Sequence, residues 1–333
     1  MAERILVTGG GGFLGQALIR QLLERGHSVQ TLNRSRYPEL ERLGVRCFQG
    51  DLADYPAVRA AAEGVSLVFH VGAKAGVWGP YDDYVRANVV GTENVLRACR
   101  ELGIKRLVYT SSPSVTFHGG DQEGIDESTP YPATFLAPYP ATKAQAEQAV
   151  LAANGPDLAT VALRPHLIWG PGDQHNVPRI LDRARKGRLG LIGPPGKKVD
   201  AVYIDNAALA HICAMQRLSI NSRIAGKAYY ITNGEPWPTE DIINGFLNAA
   251  HLPPVTRRLS LPVAYRLAAL LEWVFTFFRI KQEPPLTRFA VLQLGTSHWY
   301  ETRAAREELG YIPRISMREG LKVLEQSLTE SKR

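Results

Sequence analysis

Tyr139 and Lys143 stand four residues apart, and Ser112 closes the run Leu107-Val108-Tyr109-Thr110-Ser111-Ser112 some distance before them. On a helix that spacing puts the phenol and the ammonium on one face, where the cation can stabilise a phenolate and draw the tyrosine pKa down from about 10. Such a tyrosine exchanges a proton with a carbinol oxygen, and a serine at a strand end can hold the same oxygen in place. Each residue alone is ordinary surface. Their combination with the N-terminal glycine motif is what predicts redox chemistry at a carbon–oxygen bond.

That motif is Thr8-Gly9-Gly10-Gly11-Gly12-Phe13-Leu14-Gly15, entered from the apolar run Ile5-Leu6-Val7 and followed by a helical pattern through Leu18, Leu22 and Leu23. Gly9, Gly12 and Gly15 have the GxxGxxG spacing of a pyrophosphate cradle: a tight turn, a close backbone approach to the phosphates, and close packing of helix on strand. The helix N-terminus then faces the anion.

The segments that must position these residues alternate strand and helix. Strands are predicted at Ser28 to Leu32, up to Phe48-Gln49-Gly50-Asp51-Leu52, at Leu67 to Val71 and at Leu107 to Thr110, with a long helix from Asp82 to Leu102 that carries Asn88. This order predicts an α/β fold with a doubly wound parallel, Rossmann-type sheet, its ligands beyond the carboxyl ends of the strands. After the second strand, where a carboxylate would accept hydrogen bonds from a ribose, the chain has Asn33-Arg34-Ser35-Arg36. Arg34 and Arg36 suit a 2′-phosphate, so NADP(H) is favoured over NAD(H). Asp51 is expected to meet the adenine, and the small residues of Gly72-Ala73-Lys74-Ala75-Gly76 admit the cofactor ribose. Residues 1–165 are assigned to this dinucleotide-binding domain. Residues 166–333 form a smaller C-terminal substrate lobe, with some elements returning to the sheet.

Composition bounds the rest. The 333 residues are 45% hydrophobic and 21% charged, as in ordinary globular proteins. The net charge of +7 comes from scattered Lys and Arg, which excludes a nucleic-acid stripe and leaves an anionic cofactor or a membrane surface. Cys47, Cys99 and Cys213 have neither disulfide nor metal spacing, so no metal site is expected. The first strand starts too early for a signal segment, and a cytoplasmic protein is expected.

The chain is similar to extended short-chain dehydrogenase/reductases, and within them to the 3β-hydroxysteroid dehydrogenase group. The carrying residues are the glycine motif, Asp51-Leu52, Asn88-Val89-Val90-Gly91-Thr92, Tyr109-Thr110-Ser111-Ser112-Pro113-Ser114-Val115, Tyr139-Pro140-Ala141-Thr142-Lys143, Leu163-Arg164-Pro165 and Trp169-Gly170-Pro171-Gly172. They are dense in the first half and sparse afterwards. The resemblance implies a catalytic set of Ser112, Tyr139 and Lys143. Ser111 is the competing serine, and Ser112 is chosen by its distance to Val115. It also implies a cofactor held by Gly9, Gly12, Phe13, Leu14, Gly15, Arg34, Asp51, Leu52, Ala73, Lys143 and Pro165.

Lys74-Ala75-Gly76-Val77-Trp78-Gly79-Pro80-Tyr81 and Ser112-Pro113-Ser114-Val115 most resemble the bacterial 2-alkyl-3-oxoalkanoate reductases of hydrocarbon biosynthesis. That implies NADPH-dependent reduction of a 3-oxo lipid. An apolar pocket needs one cation for the substrate carboxylate, and Lys74, beyond the fourth strand, is the candidate, with Trp78 and Tyr81 of the same loop expected to flank the alkyl chain. A 3β-hydroxysteroid or sterol-4-carboxylate dehydrogenase, a nucleotide-sugar epimerase or dehydratase, and a non-catalytic dinucleotide sensor are the alternatives. The apolar stretch Leu261 to Phe278 has three readings: a buried helix, a wall for a lipid-like substrate, or a helix resting on a membrane as a peripheral contact. A homodimer is left open.

Overall fold

The computed structural model describes residues 2–280 and 282–330. Seven parallel strands form the central sheet: β1 (Arg4–Thr8), β2 (Ser28–Asn33), β3 (Arg46–Gln49), β4 (Leu67–His70), β5 (Arg106–Thr110), β6 (Ala159–Pro165) and β7 (Lys227–Ile231). Their order is β7-β6-β5-β4-β1-β2-β3. The order reverses between β1 and β4, so the crevice of a doubly wound sheet opens beyond their carboxyl ends. Ile5, Leu6, Val7, Leu67, Val68, Phe69, Leu107 and Val108 are fully buried, because helices cover both faces of the sheet.

Four helices concern the site: α1 (Phe13–Glu24), α2 (Gly91–Glu101), α3 (Pro138–Ala152) and α4 (Ile204–Arg217). The long helix expected from Asp82 to Leu102 is not uniform. An α-turn at Tyr81–Tyr84 passes into a π-helical segment, Val85–Val90, before α2 begins. Asn88 explains the widened turn: its amide is committed on both sides, to the backbone of Lys74 and to Thr142 of α3.

The lobe is not a clean second half. Strand β7 returns to the sheet, and α4 packs on α1. In the other direction, Gln122–Ile125 joins a four-stranded sheet whose other strands, Lys198–Val199, Trp237–Pro238 and His298–Tyr300, belong to the lobe. The basic helix Asn176–Arg185 is partly tied down, Arg179 pairing with Glu283 and Arg183 donating to the Pro285 carbonyl. The apolar stretch forms α5 (Leu261–Phe277), followed by α6 (Arg288–Gly295). Only an edge of α5 is core: Ala264 and Ala268 are buried against Val291, so a fully buried helix is ruled out.

Candidate active site

The glycine turn leaves β1 at Gly9, whose φ of +68° favours glycine. A Cβ at Gly15 would overlap the Gly9 carbonyl, so turn and helix pack backbone to backbone. Gly10 and Gly11 are roofed by Thr31 and Tyr37, whereas a Cβ at Gly12 would meet only the Gly9 carbonyl oxygen, at 3.2 Å. Gly12 is exposed, and no side chain caps α1. The amides of the first turn, at Phe13 and Leu14, are therefore left for an anion, which is what a dinucleotide pyrophosphate requires.

Around this cradle, Asn33 is spent internally. Its Oδ1 accepts from the Gly11 amide at 2.9 Å and its Nδ2 donates to Thr31. Arg34 follows, exposed and without an ion pair among the described residues, while Arg36 is paired with Glu41. Asp51 folds one carboxylate oxygen onto the Ala53 amide. Leu52 packs against Gly72 and Gly91, and Pro165 ends β6, buried. Ala73 is exposed just beyond β4.

A directed chain of hydrogen bonds ties the cradle to the catalytic helix. The Gly72 amide donates to the Thr8 hydroxyl, 3.1 Å, and Thr8 lies 2.8 Å from His70 Nδ1. His70 Nε2 lies 2.9 Å from the Thr92 hydroxyl, which donates to the Asn88 carbonyl. Since Thr92 spends its proton on Asn88, it accepts from Nε2–H, and Nδ1 accepts from Thr8. Burial pushes the His70 pKa down to about 3, so the ring stays neutral and the direction is fixed.

Ser112 caps a short 3₁₀ turn, Pro113–Thr116, its Oγ accepting from the Ser114 amide and lying 2.9 Å from the Ser114 hydroxyl. A Ser-Pro pair suits this position, because the proline begins the turn with no amide to satisfy. The Tyr139 phenol lies beside the Ser112 hydroxyl, which favours its ionised form. The Ser111 hydroxyl, by contrast, is buried and without a partner. Ser112 and Tyr139 are thus neighbours beyond the carboxyl end of β5, while Lys143, one turn further along α3, reaches back to the Thr110 carbonyl.

Two electrostatic details differ from expectation. Burial raises the Tyr139 pKa, opposed by the Ser112 hydrogen bond and reinforced by Tyr84. Lys143 does not offset this, because its ammonium is turned to the sheet: it donates to the Thr110 carbonyl at 2.5 Å and lies 4.2 Å from the centre of the Tyr109 ring. Burial pushes Lys143 down to about 7, against the carboxylate of Glu147, which favours its charge.

Glu147 and Arg164 were not among the expected site residues. Their side chains are 0% and 4% exposed and form a bidentate pair, with Tyr131 donating to the same carboxylate at 2.7 Å. The sequence does carry a signal for them. An arginine within the buried strand Ala159–Pro165 must find an acid, and Glu147 continues the four-residue spacing of Tyr139 and Lys143. Beyond Pro165, His166 donates Nδ1–H to the Asp200 carbonyl, leaving Nε2 free to accept, with its ring edge-on to Tyr300.

The loop expected to meet the substrate is more occupied than its sequence implies. Lys74, the candidate for the substrate carboxylate, is paired with Asp83 at 2.8 Å and lies over the Tyr84 ring. The acid nine residues on supplies that partner. The Trp78 carbonyl accepts from Tyr84, and Tyr81 is exposed, its hydroxyl bonded to Gln145. Among the described residues no cluster of metal-ligating side chains occurs.

Known proteins resemble this chain in sequence and in fold. Residues 6–262 match the 3-beta hydroxysteroid dehydrogenase/isomerase family. The 2-alkyl-3-oxoalkanoate reductase of Stenotrophomonas maltophilia is 57% identical over 97% of this chain and 99% of its own length. That of Shewanella oneidensis is 47% identical over 97% of this chain and 85% of its own. The structure of MoeE5 in complex with UDP-glucuronic acid and NAD matches with a TM-score of 0.76 and 25% identity, covering 98% of this chain and 99% of that one. With its glycine cradle, its Ser112, Tyr139 and Lys143 set and a sequence match over most of its length, the chain belongs to the 3-beta hydroxysteroid dehydrogenase/isomerase family, on a fold that takes a nicotinamide dinucleotide.

Proposed function

We propose that the protein reduces 2-alkyl-3-oxoalkanoates to the 3-hydroxy acids with NADPH. The observation that carries this reading is the 57% identity, over nearly the full length of both chains, to a reductase of that name. The placing of a proton donor beside the cradle supports it.

A nicotinamide, when bound, would supply a hydride for the carbonyl carbon. The protein's own part is binding and proton supply. Ser112 and Tyr139 donate hydrogen bonds to the carbonyl oxygen and polarise it, and Tyr139 passes its proton to that oxygen as the hydride arrives. The remaining phenolate is held by Ser112 until water restores its proton, while Lys143 stays on the Thr110 carbonyl. Gly12, Phe13 and Leu14 hold the pyrophosphate, and the Thr8, His70, Thr92 and Asn88 chain fixes α3 relative to it. A substrate carboxylate entering beside Lys74 would share that cation with Asp83, whose side chain is 56% exposed and easily displaced.

The NADPH preference rests on Arg34, which is free and exposed while Asn33 is unavailable. Arg34→Asp, assayed on a 2-alkyl-3-oxo acid, is expected to lower kcat/KM for NADPH by about tenfold to a hundredfold, the loss of one charged hydrogen bond, and to leave NADH nearly unchanged. Equal losses with both cofactors would remove Arg34 from the 2′-phosphate site. No turnover of the acid by the unmutated enzyme would overturn the substrate reading.

A further inference from the structure

Helix α5 keeps its alanine edge in the core and turns the opposite face outward. Val263, Leu267, Leu270, Trp273, Phe277 and Phe278 are 51, 44, 57, 61, 66 and 66% exposed. From Val263 to Phe277 the spacing is three and four residues and Phe278 adjoins the end, which makes one continuous stripe rather than scattered surface residues. Trp273 and Phe277 stack with ring centres 5.4 Å apart, and Phe278 lies edge-on to Phe277, so the aromatic end is already ordered.

The charges around the stripe identify its occupant. Arg257 and Arg279 flank the two ends of α5 and Arg266 lies beside the stripe; all are exposed, and none is in an ion pair among the described residues. The single acid on the helix, Glu272, is taken by Arg288 at 2.6 Å. An apolar, aromatic face with unpaired cations at its margin and no free carboxylate complements anionic lipid headgroups over an acyl layer. A two-fold contact between copies would instead lay one set of unpaired arginines against the other, with no free carboxylate between them. With 17 residues α5 is short, and no helix among the described residues is long and apolar enough to cross a membrane, so it would lie in the plane of the interface.

The stripe is also connected to the cleft. Helix α6 packs along α5, and its Phe289 clusters with Phe117, Val77 and Ala137, the residue that precedes α3 and Tyr139. We propose that α5 docks the protein on an anionic lipid surface, with its apolar face in the headgroup layer and the cleft next to the bilayer. Docking does not depend on which ketone is reduced.

The test is co-sedimentation of the full chain with vesicles of phosphatidylcholine alone and of phosphatidylcholine with phosphatidylglycerol, with the assembly state followed by analytical ultracentrifugation. The protein should pellet with the mixed vesicles and much less with phosphatidylcholine alone. Trp273→Ser with Phe277→Ser should cut partitioning about tenfold or more, and Arg266→Glu with Arg279→Glu should remove the preference for the anionic lipid. Both variants should keep the wild-type rate on a short, water-soluble 3-oxo acid, which separates lost docking from misfolding and from failure of the substrate reading. The proposal is overturned if the protein stays in the supernatant with both vesicles. It is equally overturned if neither variant changes binding, or if the serine variant splits a stable dimer whose formation had hidden the stripe.

Discussion

Replacing Tyr139 with Phe is expected to lower kcat by about a hundredfold or more while leaving dinucleotide affinity within about twofold of the original. The substitution removes one hydroxyl and preserves the ring, so α3 and the cradle keep their packing. What is lost is the hydroxyl beside Ser112 that is proposed to pass a proton to the nascent alkoxide. Because burial raises the Tyr139 pKa, the phenol is fully protonated at neutral pH and suited to act as an acid. The loss should therefore fall on kcat, with KM little changed. Steady-state kinetics together with fluorescence titration of the reduced cofactor separates the two. A variant with near wild-type kcat would show that the proton comes from elsewhere.

Arg164→Met is expected to cost about 3–5 kcal/mol of stability, since it leaves the Glu147 carboxylate buried without its countercharge. Glu147→Gln added to it should recover most of that loss, a result that a simple packing defect at Arg164 would not give. Urea denaturation of the wild type and both variants measures this. A deficit unrelieved by the second substitution would show that the pair contributes little as a pair.

The parts of this molecule that were legible in the sequence are those written locally. The Gly9 to Gly15 turn, the strands that follow it, and the Tyr139 and Lys143 spacing each depend on neighbours within one or two turns, so pattern alone placed them. The Asn88 π-turn was not legible, because it is set by partners on two other segments, Lys74 and Thr142. The turn of Lys143 toward the Thr110 carbonyl of the sheet was hidden for the same reason: helical spacing gives a shared face, not the neighbour that takes the hydrogen bond. In the lobe, strands of two to four residues pair across long sequence separations, as Gln122–Ile125 does with His298–Tyr300, and such short runs carry no readable alternation. Helix α5 is apolar on several sides, so periodicity could not say which side is covered. Only packing did, through Ala264 and Ala268.

The central claim is that a hydride passes from a nicotinamide to carbon three of a 2-alkyl-3-oxo acid and stays in the product. It is tested most directly by giving the enzyme NADPH that carries deuterium in the transferred position, together with a 2-alkyl-3-oxo acid, a sterol ketone and a nucleotide sugar in separate reactions. The account predicts one deuterium at carbon three of the 3-hydroxy acid, with cofactor oxidised in equal amount. Absence of label from that carbon, or turnover confined to the nucleotide sugar, would contradict it.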